Sequence, residues 1–268
     1  MSELQDIVSR SSQFMAAVRA LETKRPDRLF DDPYAERLAG AEIIAQVKPI
    51  LKGADERGRP FAAVRTRFFD DFLFSLASPI NQIVILGAGM DTRAFRLPWH
   101  PETCIYELDR PEVLQKKESI LQDTPAKCQR ICVAANLGQL WYSQLIAAGF
   151  QAEKPALWLL EGFLYYLKDT EVYSLLNQIS ELSAIGSSLG TDLINIKMLQ
   201  EAGNELSRRW RYGCDRPEEL FAEYGWKASV IEPGDEGAHF GRFTFQKPPC
   251  EVTGVARSFL VRATKKTV

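Results

Sequence analysis

From residue 82 onward, short apolar runs alternate with stretches of helical spacing, and that alternation decides the fold class. The apolar runs predict strands at 82–86, 103–108, 130–135, 156–161, 189–194, 226–231 and 257–263. Between them, periodicity predicts helices over 93–97, 111–122, 138–148, 169–184 and 196–223, the last broken at Gly213. Such alternation implies parallel strands with helices on both faces of the sheet. The last two strands are joined by Pro233 to Gly254, a Gly- and Pro-rich stretch without helical spacing, which suits an antiparallel pair closing one sheet edge. The expected architecture is α/β, with a seven-stranded, mostly parallel sheet and a reversed terminal strand.

Ahead of the sheet, Ser2 to about Leu21 has a helical pattern with Ile7, Phe14, Met15, Val18 and Leu21 on its apolar side. Pro26 to Tyr34 is a polar turn, and Pro33 stands where a new helix can begin. Phe61 to Ser78 is aromatic-rich, with Phe61, Val64, Phe68, Phe72 and Leu73 on one side. A length of 268 residues fits one domain. Within it, 1–60 is expected to form an N-terminal helical cap and 195–225 an insertion acting as a lid.

Composition narrows the partners. A net charge of −2 argues against nucleic acid, whose phosphates need a basic surface. No stretch approaches the roughly 20 apolar residues of a membrane span, and the N-terminus has no signal-peptide core, so the cytoplasm is the expected compartment. Five scattered cysteines and two histidines supply no four-ligand spacing, so no metal site is expected. The oligomeric state leaves no mark on the sequence.

Chemistry concentrates between residues 82 and 109. Gln82-Ile83-Val84-Ile85-Leu86 breaks into Gly87-Ala88-Gly89-Met90-Asp91-Thr92, and the next apolar run ends in Glu107-Leu108-Asp109. A strand, a glycine turn and a second strand with carboxylates at its tip make half of a nucleotide-binding sheet, the acid accepting both hydroxyls of a ribose. A dinucleotide enzyme usually places a third small residue where Thr92 stands. A cofactor without pyrophosphate, S-adenosylmethionine, tolerates that departure better. Its carboxylate wants a fixed cation, Arg65 or Arg67, and arginine binds carboxylates bidentately. Its ammonium can use carbonyls of the Gly87 turn and Glu161. The ribose can use Asp109 or Glu107, and the adenine Asn136, just before Leu137.

Four segments then resemble the leucine carboxyl methyltransferase family: Arg65-Thr66-Arg67, Leu86 to Arg93, Tyr106 to Pro111, and Glu161-Gly162-Phe163-Leu164-Tyr165-Tyr166-Leu167. The resemblance spans about residues 12 to 170. The family includes enzymes that methyl-esterify the C-terminal leucine of a protein phosphatase, and bacterial relatives acting on carboxyl or hydroxyl groups of natural products. It implies a Rossmann-like class I methyltransferase fold. It also implies cofactor contacts at Arg65, Gly87, Gly89, Asp109, Asn136, Leu137 and Glu161. The family usually has Asp where this chain has Asn136, which keeps one acceptor oxygen.

The function these readings imply is O-methylation of a small-molecule acceptor by in-line attack on the sulfonium methyl. A carboxylate acceptor needs no general base, whereas a hydroxyl benefits from one. His239, in the loop Gly237 to Phe243, is the candidate base, with Glu161 and the tyrosines Tyr165, Tyr166 and Tyr212 behind it. Arg211 and Tyr165 are candidate acceptor contacts, with Arg242 a further candidate cation. The cluster Arg208-Arg209-Trp210-Arg211-Tyr212 lies in the expected lid. The alternatives are esterification of a protein C-terminus, a nicotinamide-dependent dehydrogenase, and a non-catalytic cofactor-binding protein. Plain structural roles also compete: Arg65 can pair with Asp70 or Asp71, and Asp109 can cap the following helix.

Overall fold

The computed structural model describes residues 3–78, 80–203 and 207–266, with side chains of the first helix described from Arg10. The expected start at Ser2, the side chain of Ile7 and positions 204–206 of the expected lid lie outside these residues.

Four helices precede the sheet: α1 (Glu3–Thr23), α2 (Ala35–Ala39), α3 (Ala41–Glu56) and α4 (Phe61–Leu76). Then β1 (Gln82–Leu86), α5 (Arg93–Arg96), β2 (Cys104–Asp109), α6 (Pro111–Leu121), β3 (Gln129–Ala134), α7 (Tyr142–Ala147) and β4 (Ala156–Leu160) alternate. They are followed by α8 (Asp169–Glu181), β5 (Ser188–Ile194), α9 (Ile196–Gln200), α10 (Pro217–Glu223), β6 (Trp226–Ile231) and β7 (Ser258–Lys265). The seven strands form one sheet in the order β3-β2-β1-β4-β5-β7-β6. β7 runs antiparallel to both β5 and β6, so the final pair closes the edge as its helix-free connection suggests.

The inner strands β1, β2 and β4 read as apolar throughout because each feeds two cores. Val84 and Leu86 join Trp158 and Leu160 on one face, under α7 and α8. Ile83 and Ile85 join Leu157 and Leu159 on the other, under α1 and α4. Fully burying one such side chain contributes about 1.5–3 kcal/mol. Phe68, Phe69, Phe72 and Leu73 of α4 press against this second face, and β5 makes room with Gly190. A Cβ there would stand 2.8 Å from Cε1 of Phe72. Packing of α4 on the sheet is what brings its first turns, including Arg65, over the strand tips.

Two expected helices are revised. The one over 138–148 begins only at Tyr142, because Asn136 first closes a turn, its Oδ1 accepting from Gly138 N at 3.2 Å. Among the described residues, the one over 196–223 is three short pieces, α9, a single turn at Ser207–Arg209 and α10. Between them the chain is pulled straight: Arg211 N donates to Tyr165 O at 2.7 Å and Cys214 N to Ile194 O at 2.8 Å. The pattern Ile43, Ile44, Val47, Leu51 of α3 carried a helical signal beyond the start expected near Pro33, and Gly40 (φ 78°) separates it from α2. Among the described residues no helix is long and apolar enough to cross a membrane.

Candidate functional site

The site grows from the point where β1 ends. Gly87 and Gly89 turn the chain with φ of 68° and 47°, a region that L side chains rarely adopt. Gly87 N and Ala88 N both donate to Leu108 O, and Gly89 N donates to Asp109 Oδ2 at 2.7 Å. The other oxygen of Asp109 accepts from Arg110 N at 2.7 Å. Asp109 therefore ties the glycine turn to the tip of β2. It does not cap α6, whose N-cap position is Arg110. Burial pushes the Asp109 carboxyl up, with the two backbone donors opposing. Phe163 and Ser12 lie directly over the turn: a Cβ on Gly87 would meet the Phe163 ring at 2.7 Å, and one on Gly89 would meet Ser12 Cβ at 2.9 Å.

On the other side of the turn stands a buried ionic cluster. Arg65, 4% exposed, donates through Nε to Glu161 at 3.0 Å and through Nη1 to Asp192 at 2.8 Å and the Tyr165 hydroxyl at 3.0 Å. Among the described residues its Nη2 meets only the Met15 sulfur, at 3.6 Å. The second oxygen of Glu161 accepts from Arg93 Nη2 at 2.6 Å. Arg93 also holds Asp91 and Asp70, and Asp70 takes both terminal nitrogens of Arg96 at 2.6 Å. Asp32 extends the cluster towards α1 by accepting from Arg19 and from Thr92.

Arg65 thus ignores Asp70 and Asp71 on its own helix: Arg93 and Arg96 hold the first and Arg67 the second. Arg67 is half-exposed and occupied by Asp71 and Leu29 O, so Arg65 is the arginine at the strand tips.

These surroundings set the protonation states. Burial raises the Glu161 carboxyl, but Arg93 and Arg65 more than offset it and leave it below its ordinary value. Asp192 goes the other way, since burial outweighs Arg65 and the Gly162 N–H. Burial, reinforced by Asp192, holds the Tyr165 phenol well above its ordinary range, so it is a neutral hydroxyl and not a base. Tyr166 and Tyr212 are likewise pushed up, first by burial.

The remaining sequence candidates fall in three places. Asn136, exposed, and Leu137, buried, follow β3 beside Asp109, whose carbonyl accepts from Ala135 N at 2.9 Å. Glu107 is fully buried beneath α6, bound by Lys117 at 2.7 Å and Arg130 at 2.6 Å, so it is not available as a ribose acid. His239 is exposed, its Nδ1 accepting from Gly241 N at 2.9 Å, with no hydrogen bond to any described residue of the cluster. Arg242 is occupied by Glu22, Asp27 and Asp55, tying its loop to the N-terminal helices and removing it as an acceptor contact. Arg211 is exposed, with its backbone bonded to Tyr165. Asp192 escaped sequence reading, although a lone carboxylate in the apolar strand Ser188–Ile194 was the signal, because unpaired acids are almost never fully buried.

A family profile described as leucine carboxyl methyltransferase matches residues 12–180. The chain is 36% identical over 243 residues to a provisionally named S-adenosyl-L-methionine-dependent methyltransferase of Parafrankia sp., covering 84% of this chain and 78% of that one. A similarly named protein of Streptomyces coelicolor is 38% identical, covering 85% and 86% of the two chains. Among solved structures, a DUF574 family protein from Streptomyces avermitilis superposes with a TM-score of 0.63 at 12% identity, over 96% of this chain and 97% of that one. A provisionally named methyltransferase from Thermobifida fusca gives 0.55 at 17% identity, over 96% and 94%.

Sheet order and the reversed seventh strand define the Rossmann-like class I methyltransferase fold, in which ligands bind at the strand tips. Within that class, the extent of the family match and the identity to the relatives place the chain plainly: it belongs to the leucine carboxyl methyltransferase family.

Proposed function

We propose that this methyltransferase, with S-adenosylmethionine as methyl donor, esterifies the carboxylate of a small organic molecule, a hydroxyl acceptor being the lesser alternative. The observation that carries the choice is the state of Glu161. Both its oxygens are occupied by guanidiniums, and its carboxyl lies below the ordinary range, so it is a poor proton acceptor. With Tyr165 neutral and His239 outside the cluster, an acceptor that is already ionised fits best.

The residues fit the donor. Glycines at 87 and 89 leave the turn without side chains, and each Asp109 oxygen, holding one backbone N–H, keeps a lone pair for a ribose hydroxyl. Nη2 of Arg65 is the guanidinium nitrogen without an oxygen partner among the described residues, suited to a carboxylate. Glu161 faces the ammonium side, and Asn136 and Leu137 the adenine. When bound, S-adenosylmethionine supplies an electrophilic methyl on a sulfonium. The chain's own work is orientation and exclusion of water, which in favourable cases supplies roughly 7–11 kcal/mol. The helices before residue 60 and the insertion 195–225 close the crevice from two sides in this reading: Ser12 lies on Gly89, and the stretch around Arg211 lies on Tyr165.

The test is to incubate cell extract with purified protein and deuteromethyl-labelled donor, then treat the product with mild alkali. A labelled small molecule that loses its methyl supports the carboxyl reading. An alkali-stable ether refutes it, and label confined to protein redirects it to a protein C-terminus.

A further inference from the structure

We infer that Trp210 and the arginines around it form the acceptor subsite, and that this subsite takes a flat, conjugated organic anion such as an aryl carboxylate. The inference deepens the proposed function and rests on it only for where the methyl lands.

Three observations meet on one stretch of chain. The first is a wall of rings leading out of the ionic cluster. Tyr165, whose hydroxyl accepts from Arg65, lies 5.0 Å from Tyr166 and 5.0 Å from Trp210, centroid to centroid. Rings at such tilted separations add a favourable electrostatic term to burial, and a ligand ring can pack against one of them in the same way. The wall is fixed at both ends, by Arg211 N on Tyr165 O and by Cys214 N on Ile194 O at the tip of β5. It therefore stands on the elements that carry Glu161 and Asp192.

The second is a pair of unused donors on that wall. The indole N–H of Trp210 is buried; it approaches the Tyr166 hydroxyl but makes no bond of ordinary geometry to any described residue. The Tyr165 hydroxyl accepts a hydrogen bond from Arg65, and its own hydrogen has no acceptor among the described residues. The indole N–H groups of Trp141, Trp158 and Trp226 are unpaired too, but those rings are fully buried, whereas Trp210 is half-buried, so its N–H and the Tyr165 hydroxyl can meet an oxygen acceptor from outside the chain.

The third is charge. Arg208, Arg209 and Arg211 make no ion pair with any described residue, whereas Arg19, Arg65, Arg93 and Arg96 of the buried cluster are all paired. In a chain of net charge −2, three cations without counterions among the described residues flank one tryptophan. Donors and positive charge together select an anion, and the rings select a flat one.

The test uses protein saturated with S-adenosylhomocysteine and measures, by calorimetry, binding of cinnamate, of neutral cinnamamide and of non-planar cyclohexanecarboxylate. Cinnamate is expected to bind about tenfold more tightly than either, a difference of about 1.4 kcal/mol. Replacing the three arginines by alanine (R208A, R209A, R211A together) is expected to remove the preference for acid over amide. W210F, which keeps a ring but loses the N–H, is expected to weaken cinnamate about threefold to tenfold. Both variants should bind S-adenosylhomocysteine within twofold of the parent, which certifies the fold. If W210F loses that binding, the arginine variant, altered only in side chains without partners, carries the test. Equal affinity for acid and amide, no binding of cinnamate at all, or an arginine variant that binds cinnamate like the parent would each overturn the subsite. Selective cinnamate binding with an alkali-stable product would leave the subsite standing and remove the carboxyl reading instead.

Discussion

Replacing Arg65 by alanine strips two buried carboxylates of a partner at once, and the two should respond differently. Glu161 keeps Arg93 at 2.6 Å, so its charge stays compensated. Asp192, 1% exposed, is left with only the Gly162 N–H at 2.6 Å. Removing one partner of a buried pair costs about 3–5 kcal/mol, because the other charge remains uncompensated. Its carboxyl already lies above the ordinary value, first through burial, and the loss of Arg65 raises it further. A carboxyl raised in the folded state contributes stability while protonated, and loses that contribution as pH rises through its folded value. The R65A penalty should therefore be smaller at pH 5 than at pH 8. D192N alone should cost about 1.5–3 kcal/mol, the range for hydrogen bonds to charged groups. The double variant should be more stable than the sum of losses predicts, by about 2 kcal/mol, since the uncompensated charge is gone. Urea unfolding of the four proteins at both pH values measures all of this. Losses that add within about 0.5 kcal/mol, or an equal pH slope in R65A and the double variant, would refute the account.

Three further predictions use other parts of the fold. G190A forces a methyl against Phe72 and Phe69 of α4 (2.8 to 3.1 Å) and should destabilise by about 1–3 kcal/mol, read as a lower thermal midpoint; an unchanged midpoint would mean α4 can move. Asp32, Asp91 and Glu161 all have carboxyls held below their ordinary values by arginines that outweigh burial. Their contribution is complete above the unfolded values near pH 4 and is lost as pH falls through the folded ones, so thermal midpoints should hold from pH 7 to 5 and drop steeply below about pH 4; a flat acid limb would contradict it. H239A should leave methyl transfer unchanged between pH 6 and 9, because the imidazole is exposed and engaged with Gly241; a loss that grows towards pH 9, where an imidazole is neutral, would restore its role as base.

The inner strands were legible because their apolar runs are buried on both faces and so carry no competing pattern, and β1 matches its expected bounds; the edge strand β6 matches its bounds as well. The helices around the crevice were less legible because tertiary contacts override spacing there. The backbone of Arg211 is taken by Tyr165, and that of Cys214 by Ile194, so a helix-compatible stretch is drawn out straight. Site residues announced by short motifs were brought to the strand tips, Arg65 and Glu161 directly and Asp109 through the glycine turn. Glu107 and Asp109 looked alike in sequence, two acids on one strand. Only packing separates them, since α6 covers the first with Lys117 and leaves the second at the tip. Asp192 went unseen because its partners lie at Arg65 and Gly162, far away along the chain.

The ionic cluster does more than fix side chains. Buried ion pairs rarely stabilise a fold beyond what apolar residues of the same size would, so such a cluster needs a reason other than stability. Among the described residues it holds five carboxylates (Asp32, Asp70, Asp91, Glu161, Asp192) against four guanidiniums (Arg19, Arg65, Arg93, Arg96), leaving the floor of the crevice one negative charge in excess. The rim at Arg208, Arg209 and Arg211 has the opposite sign. A floor that favours a cation and a rim that favours an anion match a sulfonium donor and a carboxylate acceptor. Low local dielectric makes both preferences stronger than they would be in water. Under the proposed chemistry the transfer turns that cation and that anion into a thioether and an ester, each with one charge fewer. The same electrostatics that assemble the reactants then hold the products less tightly, so grip on the reactants and release of the products follow from one arrangement of charge.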